Sequence, residues 1–407
     1  MSRTHLVSLK ILRGCFACYK HLVLLGDFTS TKVCQKSRGV YTHTVIDLRS
    51  DTVTRPTGKM REAMKNAVVG DDVCGEDPTV NKLQEVTADI LGKEDALLVP
   101  TCTMANTASV MVLCNGRFNE VIIGEQSHMN LYEVAGLAQL AGIQGCCVPN
   151  LPDGTMDLGQ VEAKIRPVDD DHQPLTRAIC IENTHNRCGG KVLPLEYLKE
   201  VELLARKHNL LLHLDGARIF NAAVALRVPA ADIAQYFDTV AVAFTKGLCC
   251  PVGSIIAGPK SFINLARKAR KALGGGMRQA GVIAAPMLVA LEQMIPRLVE
   301  DHDRAFRIAT AISSLQGNLV CSVDLSGVHS NIVMINILGK VTPLQFSRRM
   351  QEVTDEEKRS LGQSVSVLMW PYSPATVRYV THNDVSEADV DNVIAKFLYV
   401  IEELSSS

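Results

Sequence analysis

Residues 210–248 constrain this chain more than any other stretch. They read L-L-L-H-L-D-G-A-R, then a helical and loop segment, then T-V-A-V-A-F-T-K-G. Two apolar runs rich in buried-type residues each lead into a charged side chain, Asp215 after the first and Lys246 after the second. Runs of this kind suit strands buried on both faces. In an open α/β sheet, ligands sit outside the carboxyl ends of the strands. The pattern therefore delivers a carboxylate and an amine to one rim. Taken alone, each residue has an ordinary reading, the lysine as a solvated surface group and the aspartate as a helix N-cap. Gly247 after Lys246, and Arg218 three residues after Asp215, shift the balance toward a site. Such a pair is what pyridoxal phosphate (PLP) requires. The lysine forms a Schiff base, and the aspartate keeps the pyridine nitrogen protonated so that the ring acts as an electron sink.

The rest of the chain suits a sheet of that size. Its 407 residues are 47% hydrophobic, enough for a large core and two domains. A net charge of -1 gives no reason to expect a nucleic-acid partner. No uninterrupted apolar run is expected to span a bilayer. The 13 cysteines are scattered, with Cys146-Cys147 and Cys249-Cys250 in apolar surroundings. That is the habit of buried free thiols in a reducing compartment. Cys15 and Cys18 form a C-x-x-C without a second ligand pair at zinc spacing and are read as coincidence.

Residues 1–44 differ in kind. Lys and Arg outnumber a single acid, Asp27, among Ser and Thr residues. This reads equally as a mitochondrial transit peptide or as a disordered extension, so the location is mitochondrial or cytoplasmic. From residue 45 to 314, strands alternate with helices, which argues a doubly wound, largely parallel sheet. A short strand A-L-L-V-P runs into Thr101-Cys102-Thr103 at a helix start, an arrangement suited to binding an anion such as phosphate. A helix is expected from about residue 131 after the loop carrying His128. Another is expected over 279–311, interrupted at Pro286 and Pro296. After residue 315, shorter alternating strands interleave with helices, a smaller α+β domain over 315–407. Ser386 and Asp389 open the last helix as a capping box.

Several segments in order carry a family resemblance: I-D-L-R-S-D-T-V-T-R-P (46–56), G-D-D-V-x-G-x-D-P-T-V (70–80), E-N-T-H-N (182–186), D-G-A-R-I-F-N-A (215–222), T-K-G-L (245–248), G-G-G-M-R-Q (274–279) and V-R-Y-V-T-H (377–382). From residue 46 to about 382 the chain resembles the L-threonine aldolases of the low-specificity type, PLP enzymes of fold type I. That resemblance implies an aspartate-aminotransferase-like large domain and aldol cleavage of L-threonine and L-allo-threonine to glycine and acetaldehyde. It also implies a homo-oligomer, a tetramer with sites at a dimer interface.

The resemblance assigns roles to residues. Lys246 would carry PLP, Asp215 would face the pyridine nitrogen, and His128 would lie over the ring. Thr103 and the backbone at Cys102 would hold the phosphate, with Arg278 reaching it from a neighbouring subunit. Ser50, Arg218 and Arg378 would clamp the substrate carboxylate, for which arginine's planar fork is suited. His185 and Lys271 would line the β-hydroxyl side, and Tyr132 would shape the side-chain pocket. His128, His185 or a water would act as base. Cys102 departs from the family's usual glycine, and Thr245 from its usual serine. Two other readings stand beside this one: a different PLP lyase, of phenylserine or β-elimination type, and a PLP-fold scaffold that has lost catalysis.

Overall fold

The buried-type strands assemble as the middle layer of a computed structural model that describes residues 43–315 and 318–406. The reading of residues 1–42 as an extension lies outside the described residues. In chain order the strands are β1 (Thr44–Asp47), β2 (Asp95–Val99), β3 (Asn119–Gly124), β4 (Gln144–Val148), β5 (Leu175–Glu182), β6 (Leu211–Asp215), β7 (Thr239–Ala243) and β8 (Ser254–Gly258), then β9 (Cys321–Ser322), β10 (Ile332–Ile337), β11 (Val365–Leu368), β12 (Trp370–Pro371) and β13 (Thr376–Val380). Seven of them form the central sheet in the order β2-β8-β7-β6-β5-β3-β4. Six point one way; β8 alone is antiparallel to its neighbours β2 and β7. Every residue of β3, β7 and β8 is buried, as the continuous apolar runs require.

Helices cover both faces. The helix Pro78–Leu91 starts at Asp77, whose carboxylate accepts from the Thr79 and Val80 N–H groups, and stops at left-handed Gly92. Leu83, Leu91, Leu98, Ile255 and Met287 lie in one core with the sheet. A second core joins Phe346, Val365, Val367, Tyr379 and Phe397 around the antiparallel sheet β12-β13-β10-β9. The capping box of Ser386 and Asp389 forms at the start of the helix Glu387–Ser405.

Two features depart from the sequence reading. β1 does not join the central sheet. It pairs in parallel with β11, Thr44 opposite Val365, and its Ile46 belongs to the second core. From β1 in the C-terminal layer the chain crosses into the first. The helix Gly281–Ser313 also runs unbroken through Pro286 and Pro296. Its first half packs on the sheet through Ala284, Met287 and Met294, and its second half on the other core through Ala305, Ile308 and Ile312. Burial against two cores outweighs the roughly 3 kcal/mol that an internal proline costs a helix. By length and apolarity this helix could cross a membrane, which the sequence reading did not foresee. Its place between the two cores accounts for that composition.

Candidate active site

The site lies where β6 and β7 end. Asp215 is the last residue of β6 and is 2% exposed. Gly216 follows because a side chain there would come within 2.9 Å of the Ala241 carbonyl of β7. That close approach explains the D-G pair of the sequence. Lys246 lies three residues beyond β7, its carbonyl accepting from Thr54 Oγ1 at 2.9 Å and from the Cys249 N–H at 2.8 Å. Burial, and then the nearby Arg218 charge, lower its amine from the ordinary lysine value. An amine held toward its neutral form is the form that condenses with an aldehyde.

Three groups converge on Asp215. Asn106 Nδ2 donates to Oδ2 at 2.9 Å, the Ala217 N–H donates to Oδ1 at 3.1 Å, and the Cys102 thiol lies 3.9 Å from Oδ1. Cys102 opens the helix Cys102–Cys114, which packs across the sheet so that its N-terminus meets the strand ends. Thr101 caps that helix through the Met104 N–H. The N–H groups of Cys102 and Thr103 have no acceptor among the described residues. Free N–H groups and the helix dipole suit an anion at this end. Burial, and then the Asp215 charge, push the Cys102 thiol well above its ordinary value.

His128 follows β3 and starts a one-turn helix, His128–Leu131. Its N–H donates to Glu182 Oε2 at 2.6 Å, and Glu182 Oε1 takes the Asn186 N–H at 2.9 Å, so one carboxylate at the end of β5 ties two loops together. The single helix expected from residue 131 does not form. Val134 and Ala135 both take left-handed backbone, φ 52° and 54°, before a π-type turn at Leu137–Ala141. This break turns Glu133 inward, where its Oε1 lies 2.9 Å from His128 Nδ1. Burial opposes a charge on the imidazole, but Glu133 and Asp215 outweigh it and raise the His128 value overall.

On the opposite side, Arg218 pairs with buried Asp51, which also accepts from Asn331 Nδ2 at 3.2 Å. Ser50 caps the short turn holding Asp51, its Oγ accepting from the Thr52 N–H. Arg378 of β13 donates to Asn186 Oδ1 at 2.8 Å and to the Arg49 carbonyl at 3.1 Å. Its guanidinium carbon lies over the Tyr372 ring, 4.7 Å from the centroid, and over the Trp370 ring at 5.9 Å, while its buried Nε has no partner among the described residues. Tyr132 is 46% exposed, stands 5.5 Å from the His128 ring and accepts from Arg187 through its hydroxyl.

Not every expected residue gathers here. His185 is buried, with Nδ1 accepting from the Cys188 N–H and Nε2 without a partner among the described residues, and it lines a small, partly open cavity with Ser127, Asn150, Cys180, Glu182 and Tyr197. Neither Lys246 nor Asp215 lines that cavity. Lys271 is exposed beside Gly276, and Arg278 is exposed and paired with Asp71 at 2.8 Å. Sequence reasoning missed Asn106, Glu133, Asp51, Asn186 and Tyr372. In retrospect, Glu133 two residues into an interrupted helical pattern and Asp51 in the S-D-T turn were the only local signals.

A model of the beta-eliminating lyase family matches residues 47–337. Low-specificity L-threonine aldolase 1 of Arabidopsis thaliana is 42% identical over 353 residues, covering 86% of this chain and 95% of the relative. The low specificity L-threonine aldolase of Escherichia coli K12 is also 42% identical over 353 residues, covering 86% and 98%. Among solved structures, threonine aldolase from Leishmania major superposes with a TM-score of 0.69 at 17% identity, covering 88% of this chain and 99% of that one. A structure of SPT with PLP superposes at 0.65 and 18% identity, covering 88% of each. At such identities the structures speak for the fold.

Proposed function

The chain belongs to the beta-eliminating lyase family and, within it, to the low-specificity L-threonine aldolases, and from that premise we propose how its residues carry out the cleavage. It is a carbon–carbon lyase that converts L-threonine and L-allo-threonine to glycine and acetaldehyde. The observation that carries the reading is the joint placement of Lys246, Asp215 and His128 at one rim of the sheet.

The residues fit PLP. Lys246 offers a desolvated amine, Asp215 a buried carboxylate for a ring nitrogen, and the free N–H groups at Cys102 and Thr103 a seat for a phosphate. When bound, PLP supplies the electron sink into which the Cα–Cβ bonding pair passes. The protein does the rest. Arg378, with Arg218 held by Asp51, orients the substrate carboxylate and thereby turns the Cα–Cβ bond to the cleavage position. His128, whose Nε2 carries no hydrogen bond among the described residues, takes the β-hydroxyl proton. His185, on the same E-N-T-H-N loop as Asn186, keeps its Nδ1 on the Cys188 N–H and its buried Nε2 without a partner among the described residues, and stands beside His128 as the second candidate base. Tyr132 and Arg187 border the side-chain pocket. Exposed Arg278 and Lys271 serve the site of a neighbouring subunit in a homotetramer.

The deciding experiment is a product assay on the PLP-loaded protein with L-threonine and L-allo-threonine. Equimolar acetaldehyde and glycine are expected. A 2-oxo acid and ammonia would instead identify an eliminating lyase.

A further inference from the structure

The buried groups behind His128 form a chain of hydrogen bonds whose direction is fixed at its far end. His213, fully buried within β6, has its value pushed down to about 4 by burial and is therefore neutral near neutral pH. Its Nδ1 lies 2.8 Å from Thr239 Oγ1 and its Nε2 lies 3.1 Å from Asn106 Oδ1. An amide oxygen only accepts, so Nε2 bears the imidazole hydrogen and Nδ1 accepts from the threonine hydroxyl. The Asn106 amide is thereby oriented. Its NH₂ group has two hydrogens and two carboxylates to serve, Glu133 Oε1 and Asp215 Oδ2, each at 2.9 Å. The reverse orientation would set an amide oxygen against two carboxylates.

Glu133 is held in place at a cost. It is 4% exposed, yet its neighbours Tyr132 and Val134 are 46% and 81% exposed. Two successive non-glycine residues, one β-branched, adopt left-handed backbone directly after it. Strain of that kind costs on the order of 1 kcal/mol or more per residue and persists where the surroundings over-determine it. The surroundings here are the donors on Oε1: Asn106 from one side and His128 Nδ1 from the other. Glu133 Oε2 is buried without a partner among the described residues.

We propose that Glu133 is a positioning residue that fixes the ring hydrogen of His128 on Nδ1, leaving Nε2 as the atom that receives the substrate's hydroxyl proton, and that Asn106 ties this pair to Asp215 in one directed chain. The proposal deepens the aldolase reading and rests on it for the substrate. In the step itself the O–H bond breaks and an Nε2–H bond forms. The positive imidazole then faces Glu133 at Nδ1 and Asp215 and Lys246 across the pocket, with Tyr132 beside the ring and Glu182 on its backbone N–H. Glu133 itself faces His128, Asp215 and Asn106. The opposing carboxylates favour the charged ring, and Lys246 works against them.

Glu133→Gln tests this, because glutamine keeps the volume and an acceptor oxygen but not the charge. The imidazole carbon-bound proton of His128, assigned by its loss in His128→Asn, is titrated by NMR in the PLP-free protein. The wild-type midpoint is expected above the ordinary histidine value of about 6.5, and Glu133→Gln is expected to lower it by about one unit or more. In the PLP-loaded protein the acid limb of kcat/KM for L-threonine should move down with it. The kcat should fall about tenfold or more, while KM stays within about twofold. An unmoved NMR midpoint together with an unmoved acid limb overturns the proposal. If Glu133→Gln does not fold, the wild type decides, since a midpoint at or below the ordinary value overturns it too. Should the wild type release no aldehyde, the aldolase reading fails by itself, and the NMR shift still judges the link between Glu133 and His128.

Discussion

Arg218 grips Asp51 in a planar fork, Nε to Oδ2 and Nη2 to Oδ1, both at 2.7 Å, with neither side chain open to solvent. Burial alone would raise the Asp51 carboxyl, but the Arg218 charge and hydrogen bonds, with the Lys246 charge, hold it well below the usual range. The pair sets the plane of Arg218 before any substrate arrives and leaves Nη1 as its open nitrogen.

Asp51→Asn should therefore act twice. Removing one partner of a buried pair leaves the other charge uncompensated, a loss of about 3 to 5 kcal/mol, read as a lower melting temperature. The pH dependence carries a sign. A carboxyl whose folded value is depressed contributes in full above its unfolded value of about 4, and its contribution is lost as the pH falls through the folded value. Wild type should lose stability on acidification below about pH 4, and the variant should show a flatter acid limb. KM for L-threonine should rise as Arg218 loses its fixed plane. Matching melting curves for the two proteins from pH 3 to 7 would refute the pair's role.

Lys246→Met separates chemistry from stability. The variant should show no lysine-dependent visible band with PLP and no aldehyde release. A lysine whose folded value is depressed costs the folded protein stability wherever the unfolded chain is charged, and this cost disappears as the pH approaches about 10.4. The PLP-free variant should thus melt at or above the wild type at pH 7, with the gap closing toward pH 10. Calorimetry on both proteins checks it. A variant that melts lower at pH 7 would contradict a desolvated amine.

How far the sequence disclosed this site depends on the range of the contact. Asp215 and Lys246 were legible because strand ends announce themselves locally, through an apolar run that stops at a charge. The helix start at Cys102 and Thr103 was legible for the same reason, a strand running into a helix. Asn106 reaches Asp215 across 109 positions, and Asp51 reaches Arg218 across 167. Nothing in periodicity or propensity encodes such pairings; they follow from sheet order. His185 shows the converse, a motif residue plain in the sequence whose ring direction only the packing of Gly154 and Cys188 determines. The crossing of β1 to β11 was hidden for a simpler reason, since four alternating residues fit either sheet.

Cys102 should be chemically quiet despite its place in the site. The thiolate is the reactive form, and burial and Asp215 hold this thiol neutral. Under native alkylation at pH 8, exposed Cys74 should be labelled while Cys102 stays unmodified. Peptide mapping by mass spectrometry reads both. Prompt labelling of Cys102 would show that the thiol is not held against the Asp215 carboxylate.

The C-terminal layer has its own buried ion cluster, distant in role from the chemistry. Lys396 donates to Glu357 and to the Glu352 carbonyl, and Arg349 joins Glu357 to Glu403, which locks three helices together. Lys396→Met leaves Glu357, 0% exposed, facing Arg349 alone. The expected loss is about 3 kcal/mol, seen as an earlier urea midpoint. At temperatures where the variant stays folded, kcat and KM should match wild type. A changed KM would mean that the cluster reaches the site.

Arg378→Lys tests the clamp most sharply, because it keeps the charge and removes only the geometry. The Arg378 guanidinium carbon lies 4.7 Å from the Tyr372 ring centroid and 5.9 Å from that of Trp370, with Arg187 4.5 Å from the Tyr372 ring and Arg49 6.0 Å from Trp370. These alternating cations and rings fix the guanidinium plane, and Asn186 and the Arg49 carbonyl fix its edge. Burial lowers the arginine from its ordinary value, yet guanidinium stays charged throughout the working range. Lysine cannot stack as a plane, and it cannot reach the Asn186 oxygen, the backbone carbonyl and a substrate carboxylate together. KM for L-threonine should rise about tenfold or more, a loss of about 1.4 kcal/mol, while the visible band with PLP persists because Lys246 is untouched. Steady-state kinetics beside the absorbance spectrum separates these effects. If KM is unchanged, Arg378 only supports the Tyr372 and Trp370 stack, and the carboxylate is held by Arg218.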